Sequence, residues 1–108
     1  MIDIADFQQV EMRVGTVVHA ESNVKARHPA YKLTIDFGPL GQRTSSAQLT
    51  EHYTASELVG LQVVAVTNLE PKRVAGVKSE VLVLASVGED GTVLITPAKG
   101  VNNGSRIA

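Results

Sequence analysis

The chain has 108 residues, 44% of them hydrophobic and 19% charged, with a formal net charge of −1. That length predicts a single domain spanning residues 1–108 with one core, and the composition is ordinary for a globular protein. The lack of cysteine excludes disulfides, thiolate metal sites and cysteine nucleophiles, and the slightly acidic balance argues against indiscriminate polyanion binding.

The first residues, with Asp3 and Asp6, lack the basic start and apolar core of a secretion signal. Asp3 to Gln9 predicts one short helical turn, capped by Asp3, with Ile4, Phe7 and Val10 on a shared face. So short an element must pack on something else. From Val10 the period changes to two. Val10, Met12 and Val14 alternate with Glu11 and Arg13, which predicts a strand with one wet face. Gly15 interrupts this strand and the apolar phase shifts to Val17 and Val18, predicting a bulge or sharp coil at the glycine.

Glu21 to Pro29 is polar and partly basic, with Lys25, Arg27 and His28, and reads as a loop. Tyr31, Leu33, Ile35 and Phe37 then alternate with Lys32, Thr34 and Asp36 in a clear strand pattern. Gly38-Pro39-Leu40-Gly41 predicts a turn, and Gln42 to Ala47 a third strand. Thr54 is placed to cap a helical turn through Ala55, Glu57 and Leu58, closed by Gly60. Leu61 to Asn68 and Glu80 to Val87 are almost continuously apolar, as in strands covered on both faces. That is more apolar surface than a small barrel hides alone, so a second subunit is expected to cover part of it. Gly88-Glu89-Asp90-Gly91 predicts a hairpin turn leading into a last strand, Thr92 to Thr96.

Short strands with one helix between the third and fourth point to an all-β fold. The architecture expected is a five-stranded oligonucleotide/oligosaccharide-binding (OB) barrel with a second short helix at its N-terminus. No apolar run approaches the roughly 18 residues of a membrane span. Asn103-Gly104-Ser105 reads as a turn, and the expected compartment is the cytoplasm.

Catalytic chemistry is hard to find. His19, His28 and His52 have no metal-pair spacing. Ser45-Ser46 lacks the glycine frame of a nucleophile elbow, and on a strand its two hydroxyls face opposite sides, so at most one meets a ligand. There is no phosphate-cradling loop and no dinucleotide fingerprint. The expectation is a non-enzyme without metal or cofactor.

One constellation stands out, Asn68-Leu69-Glu70-Pro71-Lys72-Arg73-Val74-Ala75-Gly76-Val77-Lys78-Ser79-Glu80. Lys72, Arg73 and Lys78 are suited to phosphates, and Asn68 and Ser79 to a base edge or a 2′-hydroxyl. The same residues also read as a solvated basic loop, partly neutralised by Glu70 and Glu80. On residue types alone both readings stand.

This stretch resembles the tRNA-binding domain family, whose N-L-x-P-[KR]-x-x-x-G-x-x-S pattern is matched from Asn68 to Ser79. A second family pattern, V-x-x-R-V-G-x-V, is matched by Val10-Glu11-Met12-Arg13-Val14-Gly15-Thr16-Val17. The likeness covers essentially the whole chain. Within the family it is strongest to a branch of secretion-related chaperones, carried by Pro29 to Gly38, Ser45-Ser46-Ala47-Gln48 and Lys78 to Leu84. The resemblance implies a homodimer held by elements outside the barrel, tRNA recognised by its shape, and chaperone-like binding of unfolded or precursor polypeptides. It also implies that Asn68, Lys72, Arg73, Lys78 and Ser79 face RNA, with Ser45, Ser46 and Gln48 on the facing third strand. Synthetase-appended relatives often follow the serine with glycine and then methionine. Here Val81 and Leu82 stand instead, so equal tRNA affinity is not implied.

Aromatic stacking is a poor source of affinity for this chain. Its aromatics are Phe7, Tyr31, Phe37 and Tyr53, and the strand pattern turns Tyr31 and Phe37 inward. Backbone contacts from the basic loop with shape recognition are the better account. The competing reading is a dedicated polypeptide-binding export chaperone for which RNA is incidental.

Overall fold

In the computed structural model, which describes residues 1–108, one long strand organises the rest. β1 (Met12–Ser22) pairs antiparallel with β2 (Tyr31–Asp36) through Thr16 to Ser22. Through Met12 to Thr16 it pairs with β4 (Gln62–Val66). β3 (Gln42–Ala47) adds to β2, and the two-residue β7 (Leu82–Val83) adds to β4. The sheet order β3-β2-β1-β4-β7 curls into a nearly closed OB-type barrel, as the strand pattern predicts. Two hairpins flank it, β5 (Lys72–Val74) with β6 (Val77–Ser79) and β8 (Ala85–Gly88) with β9 (Gly91–Leu94). The two expected helices are α1 (Ile4–Gln8) and α2 (Ala55–Leu58), the latter between β3 and β4. Neither is long and apolar enough to cross a membrane.

The β2 alternation buries Tyr31, Leu33 and Ile35, with Phe37 just beyond, against Val63 and Ala65 of β4 and Leu58 of α2. α2 is fixed by a reciprocal cap. The Thr54 hydroxyl accepts from the Glu57 amide (3.3 Å) while the Glu57 carboxylate accepts from the Thr54 amide (3.0 Å) and hydroxyl (2.9 Å). Those bonds, the one from the backbone amide foremost, hold the Glu57 carboxyl below its ordinary value of 4.5.

Several expectations need correction. The register irregularity of β1 falls between Val17 and His19, not at Gly15. Gly15 is required by close approach: a Cβ there would lie 2.6 Å from Ile35 Cγ2 and 2.8 Å from Phe37 Cδ1. β1 also runs on to Ser22, shortening the loop read from Glu21. The Leu61–Asn68 run is covered on both faces as expected, since Val63, Val64, Ala65 and Val66 are all buried. The Glu80–Val87 run is interrupted and only partly covered. It breaks between β7 and β8: Val81 is buried in the core and Val83 packs against it, while Leu82 and Val87 are 53% and 83% exposed. The last strand is Gly91–Leu94, earlier and shorter than read. α1 buries none of its residues within this chain.

An element without strand pattern completes the molecule. Val14 donates to Ser105 O (2.9 Å) and accepts from the Gly104 amide (2.7 Å), and the Ile107 amide donates to Met12 O (3.0 Å). Gln62 grips both the amide and the carbonyl of Val101 (3.1 and 2.6 Å). The C-terminal segment thus straps the first half of β1.

Gly15→Ala should cost about 1–3 kcal/mol by overpacking, read as a lower midpoint of denaturant unfolding with an unchanged m-value.

Candidate nucleic-acid interface

The basic constellation read as a loop is in fact the β5–β6 hairpin. Lys72 pairs with Ser79, Arg73 with Lys78, and Val74 with Val77. Its tip is Ala75-Gly76, with φ of +48° and +84°, the left-handed pair that a tight hairpin turn demands. Residues directly opposite share a face, and faces alternate along a strand. The three cations therefore divide. Lys72 and Ser79 share one side with Val74 and the buried Val77, whereas Arg73 and Lys78 stand together on the other.

The hairpin leads into the stretch that closes the barrel against β3. The Glu80 amide donates to Thr44 O (2.8 Å), and the Glu80 carboxylate accepts from the Thr44 amide and hydroxyl, each at 3.0 Å. The Thr44 hydroxyl also reaches Lys78 O (2.6 Å), and the Ser46 amide donates to the Ser79 hydroxyl (3.2 Å). Glu80 is thus hydrogen-bonded to β3, and neither it nor Glu70 forms an ion pair with a hairpin cation. None of the three ion pairs in the molecule, Arg13–Glu11, His19–Glu21 and Lys32–Glu21, involves a hairpin cation.

Three adjoining concavities share Ser46 and together make a groove across this seam. One section carries Lys72, Val74, Ser79 and Leu82 together with Glu70 and Glu80. The next carries Lys25, Arg27, His28 and Gln48 beside the hairpin tip. The last is apolar, with Leu82, Leu84 and Val87 facing Ala47 and Leu49. Of the residues expected at the site, Ser46, Gln48, Lys72 and Ser79 line this groove.

The others lie elsewhere. Ser45 is 1% exposed and donates to Val81 O (3.0 Å), so the alternation of the two serines holds and only Ser46 meets the groove. Asn68 holds the start of the chain: its Oδ1 accepts from the Glu11 amide (2.9 Å) and its Nδ2 donates to Gln9 O (2.8 Å). Beside it, the hydrogen bond from Arg13 holds the Glu11 carboxyl below its ordinary value of 4.5. Arg73 and Lys78 occupy the far face of the hairpin.

Residues 25–28 were read only as loop, yet they join the groove. The Asn23 side-chain Nδ2 donates to Ala75 O (3.4 Å), and the Lys25 side chain passes over Gly76. The cluster of Lys25, Arg27 and His28 within four positions was the available signal. With Lys72, Arg73 and Lys78, these two segments hold five of the chain's ten Lys and Arg residues, a local surplus that the net charge of −1 conceals.

Residues 12–106 match the family model described as "Putative tRNA binding domain". The chain is 41% identical over 106 residues to the methionine–tRNA ligase of Archaeoglobus fulgidus, covering 98% of this chain but only 16% of that enzyme's length. The crystal structure of chaperone CsaA from Bacillus anthracis str. Ames superposes with a TM-score of 0.95 at 49% identity, covering 100% of this chain and 99% of that one. The CsaA chaperone protein from Picrophilus torridus gives 0.94 at 42% identity, with full coverage of both chains.

Asn68→Ala should lower stability by about 1–2 kcal/mol through loss of two side-chain-to-backbone bonds. Faster hydrogen exchange at the Glu11 amide is the accompanying readout.

Proposed function

This chain belongs to the tRNA-binding domain family, and from that premise we propose that it is a non-catalytic module that grips structured RNA, tRNA above all, along the groove floored by Ser46. The observation that carries this reading is the convergence of Lys25, Arg27 and Lys72 on one groove, none of them ion-paired. Cations held in no ion pair are available to displace the counterions around phosphates, although Glu70 and Glu80 line the same section as Lys72, and that displacement supplies sequence-independent affinity. Ser46, Gln48 and Ser79 place hydroxyl and amide groups between the cations, suited to a 2′-hydroxyl or a base edge. Tyr31 and Phe37 are buried, leaving the His28 imidazole as the one aromatic ring along the groove. Arg73 and Lys78 contribute from the outer face of the hairpin, on which a large folded ligand can lean. Asn68 acts by anchoring the base of the hairpin, and Ser45 by sealing the barrel beneath Ser46. A tRNA ligand implies a cytoplasmic site of work.

A second reading is favoured by the apolar section of the groove. Leu82, Leu84 and Val87 are suited to side chains of an unfolded or precursor polypeptide, and the likeness to CsaA chaperones supports that use. On this reading the protein is an export chaperone that also holds RNA. A homodimer is proposed with it. Ile4 is 70% exposed and Val10 41%, and with Phe7 they form an apolar face beside Ile107 that a second subunit would cover. Doubling the module would present two grooves to one tRNA and raise their effective concentration.

Three or four phosphate contacts per subunit predict a slope of about −2 to −4 for log K against log salt. Lys72→Ala should weaken binding at every tRNA tested and flatten that slope by about 1. The combined alanine replacement of Lys72, Arg73 and Lys78 should weaken it further with the fold intact. A titration with no salt dependence would remove the groove from the account. Duplex DNA and a denatured polypeptide, run as competitors, distinguish RNA from polypeptide as the tighter ligand. Sedimentation at micromolar concentration should give twice the 11.5 kDa chain mass, and Ile4→Asp should return it to the monomer value.

A further inference from the structure

The strap that runs along β1 bends at Asn103-Gly104, the chain's only Asn-Gly step. The fold demands both residues. Gly104 has φ +92°, and a Cβ there would lie 2.7 Å from the Phe37 carbonyl oxygen, so no other residue fits. Asn103 Oδ1 accepts from the Thr16 hydroxyl (2.7 Å) and from Gln62 Nε2 (3.3 Å), tying the bend to both β1 and β4. Yet asparagine followed by glycine is the amide pair most prone to cyclise, because glycine offers no side chain to obstruct its own nitrogen. Geometry and chemical lability therefore meet at one step of the backbone.

We infer that Asn103 is a latent deamidation site, gated by release of the C-terminal strap. In the reaction the Gly104 nitrogen forms a bond to Asn103 Cγ and gives up its proton. The Cγ–Nδ2 bond breaks, and Nδ2 departs as ammonia carrying a proton taken from water. One water then opens the succinimide. Its hydroxyl adds to either carbonyl carbon and its proton returns to the ring nitrogen, leaving aspartate or isoaspartate. The net change is one water consumed and one ammonia released.

In the docked strap this path is closed at both ends. The Gly104 amide proton is held by Val14 O at 2.7 Å, and the side-chain oxygen is held by Thr16 and Gln62. Attack requires both grips to open together, which is a local unfolding of the strap. The two products then differ in effect. Thr16 and Gln62 are both donors to Asn103, so an aspartate keeps both bonds. Isoaspartate adds a methylene to the backbone, and the Ser105 carbonyl and Ile107 amide fall out of register with Val14 and Met12. Ile107 also walls the hollow beside Phe7 and Val10, so a strap lost this way removes one wall of that hollow.

The test is to incubate the full chain at mildly alkaline pH, with and without denaturing urea, and to follow each asparagine by peptide mass mapping and isoaspartyl methyltransferase labelling. In urea, Asn103 should convert faster than Asn23, Asn68 or Asn102. In the native protein it should convert at least about tenfold more slowly than in urea, reflecting the rarity of the open strap. Native Thr16→Val and Gln62→Ala should each speed conversion of Asn103 alone. Equal rates in native and unfolded protein, or native rates unmoved in both variants, would overturn the gating. Survival of Asn103 in urea while other asparagines convert would overturn the site itself. Hydrogen exchange at the Ile107 amide should stay slow in Asn103→Asp and become fast in the isoaspartyl fraction. Slow exchange in that fraction would overturn the proposed loss of the strap.

Discussion

Thr44 occupies the place where this barrel has to be closed and where the backbone alone does not close it. Beside the middle of β3, the returning chain makes one ladder-like bond, from the Glu80 amide to Thr44 O, before turning into the two-residue β7. Side chains complete the seam: Glu80 takes the Thr44 amide and hydroxyl, Ser45 reaches Val81 O, and the Ser79 hydroxyl receives the Ser46 amide. Polar groups facing a seam must find partners or pay a desolvation penalty, so the residue types along this edge are constrained as tightly as those of the core. The groove exists because the seam is sealed at Thr44 and Ser45 and left open beyond Ser46.

This closure also explains how a slightly acidic protein can present a cationic surface. Glu80 lies next to Ser79 in sequence, and one of the two readings of that stretch has it and Glu70 partly neutralise the basic residues there. Its carboxylate is occupied by Thr44, and Glu11 is likewise held by Arg13. Both acids serve local structure and neither pairs with Lys25, Arg27 or Lys72, although Glu70 and Glu80 line the groove beside Lys72. In such a molecule net charge describes solution behaviour, and the arrangement of charge decides what binds.

Much of the architecture was legible in the sequence. The Tyr31–Phe37 alternation, the Thr54 cap and the Gly88–Gly91 turn each gave the observed element, because each is governed by local periodicity or local hydrogen bonding. Gly15 stands out in the sequence as a break in phase, but what requires a glycine there lies across the barrel in Ile35 and Phe37. The strap from Val101 to Ile107 carries no strand pattern, since its partners are the backbone edge of β1 and the side chains of Arg13, Thr16 and Gln62, all distant in the chain. The candidate site divides in the same way. Composition marked the Asn68–Ser79 segment, but hairpin register separates Lys72 from Arg73 and Lys78. The contribution of residues 25–28 depends on a long-range meeting of two loops that spacing does not encode.

That meeting is made at a strained position. Ala75 adopts a left-handed backbone that a side chain disfavours by roughly 1–2 kcal/mol. Its carbonyl is the atom that Asn23 grasps from the neighbouring loop. The hairpin tip thus borrows part of its rigidity from the segment opposite, as one jaw of a clasp braced by the other. A ligand entering between them meets a coupled pair, and displacing Lys72 by a shift of the tip would carry Lys25 and Arg27 along with it.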